Sequence, residues 1–507
     1  MFSTVRSSYL LGIEGIGIEV ECDVSNRGLP SFSIVGLADS AIKESRERVK
    51  AALKNLDYNI FSNPITINLA PADLKKEGSH FDLPIAVSLL KAAGIMEADT
   101  SDALFIGELS LDGRLRGVSG TLSMAEYAVK SGLRRIILPM DNADEAALIP
   151  DLEIYPFENM GDVIAYLRND KEFTPYIMRK NVKKSGFGYA PDFSDVRGQY
   201  MARRAAEIAA CGMHNFIMTG SPGSGKTMIA RRMPSILPPM TLEESLETTK
   251  IHSAAGLIKS SGALIEERPF VSPHHTASSV SIIGGGAKAK PGHVSIASGG
   301  ILFLDEMLEF SRGVLEVLRQ PMEDREVTIA RADRTVTYPA KFMLVGAMNP
   351  CPCGYLGDKR KECSCSQTMI TRYRARLSGP MLDRIDLIVR AESVDYKDLS
   401  SPAESEGSAS IRARVTECHK IQAERFKDEP ILFNSQMTES MVRKYCIADD
   451  TALSALERIG NSHNISARAH SKILKTSRTI ADMSHCDKIS AAHILEAFQM
   501  KLPDEAV

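Results

Sequence analysis

The apolar run FIMT, Phe216–Thr219, passes directly into GSPGSGKT, Gly220–Thr227, and then into the helix-forming segment MIARRM. No other stretch constrains the fold as much. A buried strand that leads through a glycine-rich loop into a helix requires a parallel βα unit, and so a sheet with helices on its faces. The loop residues Gly220, Ser221, Pro222, Gly223, Ser224 and Gly225 present backbone N–H groups, Pro222 excepted, that form an anion nest with the helix N-terminus. Lys226 then reaches the β- and γ-phosphates of a nucleotide, and the Thr227 hydroxyl ligates Mg²⁺. Taken alone, the same residues also fit a glycine-rich turn with a chance lysine.

Two further apolar runs narrow the choice. GGILFLDE ends in Asp305, positioned to complete a Mg²⁺ shell, and Glu306, positioned to orient and activate an attacking water. FMLVGAMN ends at Asn349, whose amide can touch the γ-phosphate or that water. A strand followed by solvated acids is common in isolation. Downstream of a phosphate loop, it points to ATP hydrolysis.

Around this core the chain divides by pattern. Residues 1–172 mix alternating β segments (IGIEVECDV, NPITINLA) with helical ones, and 173–195 read as a polar linker. Residues 196–392 alternate buried strands with helices, the pattern of an α/β parallel sheet. A polar linker at 393–408 leads to a helical region, 409–507. The net charge of −3 rules out a globally basic nucleic-acid binder, but not a ring with basic residues in its channel. The N-terminus fits a secretory signal poorly, and no stretch approaches the roughly 18–20 apolar residues of a membrane span. The expectation is therefore a cytoplasmic protein with reduced thiols and no membrane partner.

GSPGSGKT, ILFLDE, GAMNP and SGPMLDRID occur in that order, alongside PHHTASSVSIIGGGAKAKPG and RAHSKILKTSRTIAD. Together they resemble the AAA+ ATPases of the magnesium-chelatase-like branch, and within it the YifB/ComM family over nearly the whole chain. The resemblance implies a homo-hexameric ring with ATP between subunits. It makes Arg384 of LDRID an arginine finger acting in trans, and Arg468 a second sensor closing a helical lid over the nucleotide. From the residues alone, an ion pair of Arg384 with Asp383 or Asp386 is the alternative, and Arg478 is a rival for the sensor. Residues 1–172 resemble a Lon-protease-like α+β domain through PADLKKEGSHFDLPIA and GELSLDGRLRGVSG, without the Ser/Lys pair that proteolysis requires. Ser79 and Lys130 stand at the wrong positions. A scaffold is expected instead, to which Lys75, Lys76, Arg114 and Arg116 contribute basic surface.

Two segments are candidates to contact DNA. SIIGGGAKAKPGHVS reads as a flexible loop carrying Lys288 and Lys290, and EVTIARADRTVTYPA as a hairpin whose tip carries Arg331 and Arg334. Contacts of this kind grip phosphates without sequence choice; a solvated hairpin is the plainer reading. Cys351, Cys353, Cys363 and Cys365 form a C-x-C pair, a loop and a second C-x-C pair. They suit a structural Zn²⁺, with a redox disulfide or free thiols as alternatives. The family resemblance implies a DNA branch-migration helicase of homologous recombination or natural transformation. The competing readings are a chelatase subunit driving metal insertion into a tetrapyrrole, and a protein remodeller. Against the first stand the Lon-like domain and the cysteine loop, both expected to depart from chelatase subunits.

Overall fold

The computed structural model describes residues 1–501, except 26, 38, 75, 77, 179–190, 259–263, 287–288, 332–334, 359, 393–404 and 464. Two compact units are present, one formed by residues 1–185, 245–265 and 329–336, the other by 186–244, 266–328 and 337–507. Among the described residues, no helix is long and apolar enough to cross a membrane.

The first unit is built on nine strands: β1 (Phe2–Leu11), β2 (Glu14–Val24), β3 (Ser31–Val35), β4 (Pro64–Ala70), β5 (Ala103–Phe105), β6 (Glu108–Leu109), β7 (Leu115–Arg116), β8 (Arg135–Pro139) and β9 (Glu153–Phe157). Seven of them make a mixed sheet in the order β3-β4-β2-β1-β5-β8-β9, and β6 and β7 form a separate ribbon. The β1–β2 and β2–β4 pairs are antiparallel, whereas β1–β5, β5–β8 and β8–β9 are parallel. Helix Asp82–Ala92 is apolar on nearly every side and correspondingly buried. Its first residue, Asp82, would be costly there alone, but Arg48 clasps both carboxylate oxygens at 2.7 and 3.1 Å.

This unit holds no Ser/Lys dyad among the described residues. The Ser79 hydroxyl bonds to Glu108, and Lys130 pairs with Glu126 at 3.3 Å. Lys76, expected on a basic surface, is instead fully buried. Its ammonium donates to the carbonyls of Leu69 (2.9 Å), Gly36 (3.3 Å) and Pro71, three acceptors that replace its water shell. Arg114 is held by Asp112, Arg116 lies near Glu108, and Lys75 lies outside the described residues.

The strands that follow in the chain are β10 (Phe216–Thr219), β11 (Phe270–Val271), β12 (Gly284–Gly285), β13 (Lys290–Pro291), β14 (Ile301–Leu304), β15 (Glu326–Ala330), β16 (Thr335–Pro339), β17 (Met343–Met348) and β18 (Leu387–Arg390), all in the second unit but for residues 329–336 of β15 and β16. Five of these form a parallel sheet in the order β11-β14-β17-β10-β18. Every residue of β10, β14 and β17 is buried, as unbroken apolar runs require when helices cover both faces of a sheet. One core joins this sheet to the helices Tyr200–Gly212, Lys226–Ile236, Ser408–Arg425 and Ala467–Met483. The end of the segment read as a linker belongs to it too, because Phe193 is fully buried and its N–H donates to the Ser408 hydroxyl at 2.8 Å.

Among the C-terminal helices, Asp482 accepts from Arg425 (2.6 Å), Arg478 (3.0 Å) and Asn434 (2.8 Å). The Arg478 guanidinium also donates to the carbonyls of Asp487 and Cys486 and is only 2% exposed. Arg478 is therefore a packing residue, and the rival reading of it as a nucleotide sensor is corrected: its donors are consumed inside the helical bundle.

Candidate nucleotide-binding site

Strand register assembles the site. Thr219, the last residue of β10, lies opposite Met348 of β17 and Arg390 of β18, while Leu304 of β14 lies opposite Gly346. The three segments that follow β10, β14 and β17 therefore leave the sheet at one level, its carboxyl edge, where ligands of open α/β sheets bind. Those segments are the phosphate loop, Asp305–Glu306 and Asn349. The Gly220 N–H donates to the Met348 carbonyl at 3.2 Å, tying the loop to the strand that ends at Asn349.

The loop needs its glycines. Gly223 and Gly225 have φ of +78° and +86°, and a side chain at Gly220 would come within 2.3 Å of the Ala391 carbonyl oxygen. Lys226 begins the helix, and its ammonium folds back to donate to the carbonyls of Gly220 at 2.7 Å and Ser221 at 2.9 Å. Burial pushes its pKa down to about 8, against the opposing pull of Asp305 and Glu306. Thr227 Oγ1 lies 3.0 Å from Asp305 Oδ2. A hydroxyl and a carboxylate held together beside an anion nest suit a divalent cation with a nucleotide phosphate chain.

Glu306 adopts a left-handed backbone, φ +50°, at the strand end, and its N–H donates to Asp305 Oδ1 at 3.0 Å. The side chain is 59% exposed, with His275 Nδ1 3.9 Å from its carboxylate. An exposed carboxylate next to the Thr227–Asp305 pair can accept a proton from water. Gln199 was invisible to sequence reading, since a lone glutamine ahead of a helix carries no motif. Its side-chain amide donates to the Ser224 carbonyl at 2.7 Å and to that of Glu392, bracing the phosphate loop from its far side.

The two arginines stand elsewhere. Arg384 donates to the carbonyls of Arg319 (3.2 Å) and Pro380 (2.6 Å) and to the Glu323 carboxylate, not to Asp383 or Asp386. It lines a cleft of about 440 Å³ with Glu316, Glu323, Glu326 and Thr328. Arg468 is 70% exposed and pairs at 2.9 Å with Asp383, the residue before Arg384. Its ion pair thus joins it to the Arg384 turn and not to the phosphate loop. Asp386 is drawn inward, accepting from the Asn215 N–H at 3.0 Å beside His214.

Of the candidate basic contacts, Lys290 is exposed at the start of β13 and Arg331 is exposed at the end of β15. Lys288 and Arg334 lie outside the described residues. The expected hairpin is present as β15–β16, with Val327, Ile329, Val336 and Tyr338 buried on one side. The segment read as a loop without a core pattern is instead the helix Ser279–Ile283 followed by the β12–β13 ribbon. Ile282 and Ala289 are buried, and the Ala289 carbonyl accepts from the Tyr338 hydroxyl at 2.9 Å. Sequence reading missed this because three consecutive glycines hide a pairing that depends on close backbone approach.

The four cysteines converge. All four ligand sulfurs lie within 4.8 Å of one another. Cys351 is 3.4 Å from Cys353 and 3.6 Å from Cys363, and Cys353 is 3.6 Å from Cys363. A tetrahedral Zn²⁺ with Zn–S of about 2.3 Å would set these edges at about 3.8 Å, whereas a disulfide needs about 2.05 Å. Backbone N–H groups of Cys353 and Cys365 point at the Cys365 and Cys363 sulfurs, at 3.4 and 3.5 Å. Backbone N–H contacts, led by that of Tyr355, hold the Cys353 thiol below its ordinary range, while its neighbours Cys363 and Cys365 are raised. The donor set fits zinc.

A parallel β11-β14-β17-β10-β18 sheet carrying a phosphate loop, an acidic pair and an asparagine at one edge defines a P-loop protein of the AAA+ class. Family profiles described as magnesium chelatase subunit ChlI match residues 192–399, and its C-terminal part residues 405–501. A third, described as subunit ChlI of Mg-chelatase, matches residues 20–142. The chain is 39% identical over 502 residues to the YifB protein of Salmonella typhimurium, covering 99% of this chain and 97% of that one. It is 39% identical over 501 residues to competence protein ComM of Haemophilus influenzae, covering 97% and 96%. A phytoplasma Lon protease is 31% identical over 152 residues, 27% of this chain and 19% of the protease. The chain belongs to the YifB/ComM family of magnesium-chelatase-like AAA+ proteins. The expectation that its N-terminal region departs from chelatase subunits is corrected by the match over 20–142.

Proposed function

We propose that this protein is an ATP-hydrolysing motor that acts on DNA as a homo-hexamer, extending branched junctions during recombination or transformation. The observation that carries the ATPase reading is the convergence of Lys226, the Thr227–Asp305 pair and Asn349 at three strand ends in register. Full-length similarity to a competence protein supports DNA as the substrate. Thr227 and Asp305 would hold Mg²⁺, which would supply charge neutralisation at the β- and γ-phosphates. Lys226 and the loop N–H groups hold the phosphate chain, Glu306 takes the proton of the attacking water, and Asn349 orients that water against the γ-phosphate. Arg384, and Arg468 held by the Asp383 that precedes it, serve the neighbouring protomer's site. Exposed Lys290 and Arg331, with Lys288 and Arg334, grip the DNA backbone. The four cysteines hold a structural Zn²⁺.

The experiment is the ATPase rate with single-stranded DNA, a four-way junction, porphyrin plus Mg²⁺, or unfolded protein. Stimulation by DNA is expected, most by the junction. Stimulation by porphyrin alone would replace this reading with metal insertion, a reading favoured by the chelatase profiles along the chain. Stimulation by unfolded protein alone would favour a remodeller.

Lys226 adds a pH dependence. Its pKa of about 8 applies before phosphate arrives, and a phosphate beside the ammonium raises it. Affinity is therefore constant below about 8 and falls as pH rises through it, by up to tenfold per unit, because binding must recover a proton. A fluorescent ATP analogue titrated from pH 7 to 9.5 measures this; a flat affinity would mean that the ammonium does not face the phosphates.

A further inference from the structure

The cysteine loop does not stand apart from the nucleotide site. Arg360 clasps Asp358 at 3.1 Å, and the same guanidinium nitrogen lies 3.5 Å from Ser221 Oγ of the phosphate loop, beside which the Asp358 carboxylate sits. Gly354, in the left-handed region at φ +83°, packs so closely on the loop that a side chain there would sit 2.7 Å from Pro222 Cδ. On the opposite side, Arg390 at the end of β18 donates to the carbonyls of Leu356 and Gly357. Residues 354–358 and Arg360 are thus seated between the end of β18 and the tip of the phosphate loop. What it touches matters, because Ser221 supplies one of the two carbonyls that hold Lys226.

Between Asn349 and the helix Gln367–Arg374, the chain has no helix or strand, and Cys351 and Gly354 are its only buried residues among those described. Such a segment buries too little apolar surface to offset the entropy of ordering it. Four sulfurs gathered within 4.8 Å provide the missing cross-link when a metal joins them.

We infer that the four-cysteine knuckle is a metal-dependent clamp that holds Ser221 and Pro222 in the phosphate-binding conformation, so that zinc occupancy sets nucleotide affinity. The inference rests on the zinc reading above and goes beyond it: the metal regulates a site it does not enter. Loss of the metal frees residues 354–358, the Asp358–Arg360 pair leaves Ser221, and the loop must then be ordered by the nucleotide itself.

The test uses the full-length protein, with zinc measured by mass spectrometry and ADP affinity by titration of a fluorescent analogue. One zinc per chain is expected. Stripping it with a chelator should weaken ADP binding at least tenfold, and added Zn²⁺ should restore it. Asp358→Ala keeps all four sulfurs, so it should retain one zinc and its thermal midpoint within a few degrees, yet weaken ADP binding about five- to tenfold, the size of one ordinary hydrogen bond. This variant keeps the inference testable if Cys353→Ser with Cys365→Ser fails to fold. If the protein holds no zinc, both the zinc reading and the clamp fall. If zinc is bound but ADP affinity is unmoved by stripping and by Asp358→Ala, the clamp falls and the zinc reading stands.

Discussion

Replacing Glu306 with glutamine is expected to leave ATP bound at near-native affinity while lowering turnover by about 10²–10⁴-fold, the usual worth of a positioned general base. The side chain keeps its length and its left-handed backbone at φ +50°, so the Asp305 contact to its N–H survives. Only the proton acceptor is lost. Lys226→Ala should behave differently, losing binding as well, because its ammonium is the loop's own cation and its donors have no substitute there. Single-turnover hydrolysis, measured beside equilibrium binding, separates the two. Normal turnover in Glu306→Gln would move the base elsewhere; lost binding would make Glu306 a ligand holder and not a base.

Arg384→Ala should remove about 10³–10⁵-fold of turnover, the range for an arginine finger, without weakening ATP binding to the protomer that carries the change. The reason is its placement: all its donors go to Arg319, Pro380 and Glu323, and none to the phosphate loop of its own chain. A finger acting across an interface predicts complementation. Mixing Arg384→Ala protomers, which keep an intact loop, with Lys226→Ala protomers, which keep an intact finger, should recover a measurable fraction of activity that neither has alone. No recovery in assembled mixtures, with both variants folded, would assign Arg384 to its own protomer through the Glu323 pair.

Much of the site was legible because its parts are local. Phe216–Thr227 encodes strand, loop and helix start within a dozen residues, and the acidic pair and Asn349 each follow an unbroken apolar run. Burial of every residue in β10, β14 and β17 agrees with that pattern. The arginines were not legible. Arg468 and Arg478 read alike as cations on one helix, yet Arg478 is sealed against Asp482 while Arg468 reaches Asp383. Helical spacing gives the face of a residue, and only the packing of neighbouring helices says what that face meets.

Lys76 makes the same point in the first unit. A lysine in a polar stretch reads as surface, but three carbonyls from Gly36, Leu69 and Pro71 take the place of water around it. The sequence by itself determined the βα unit, the phosphate loop, the acidic strand end and the close pairing of the cysteines, since each depends on spacing along the chain. Only the tertiary structure decided that the cysteine knuckle rests on Ser221 and Pro222, and that Gln199 braces the same loop from its other side. The physical reason is strand order. Placing β10 between β17 and β18 brings together chain ends more than a hundred residues apart, and no local pattern encodes which strands become neighbours.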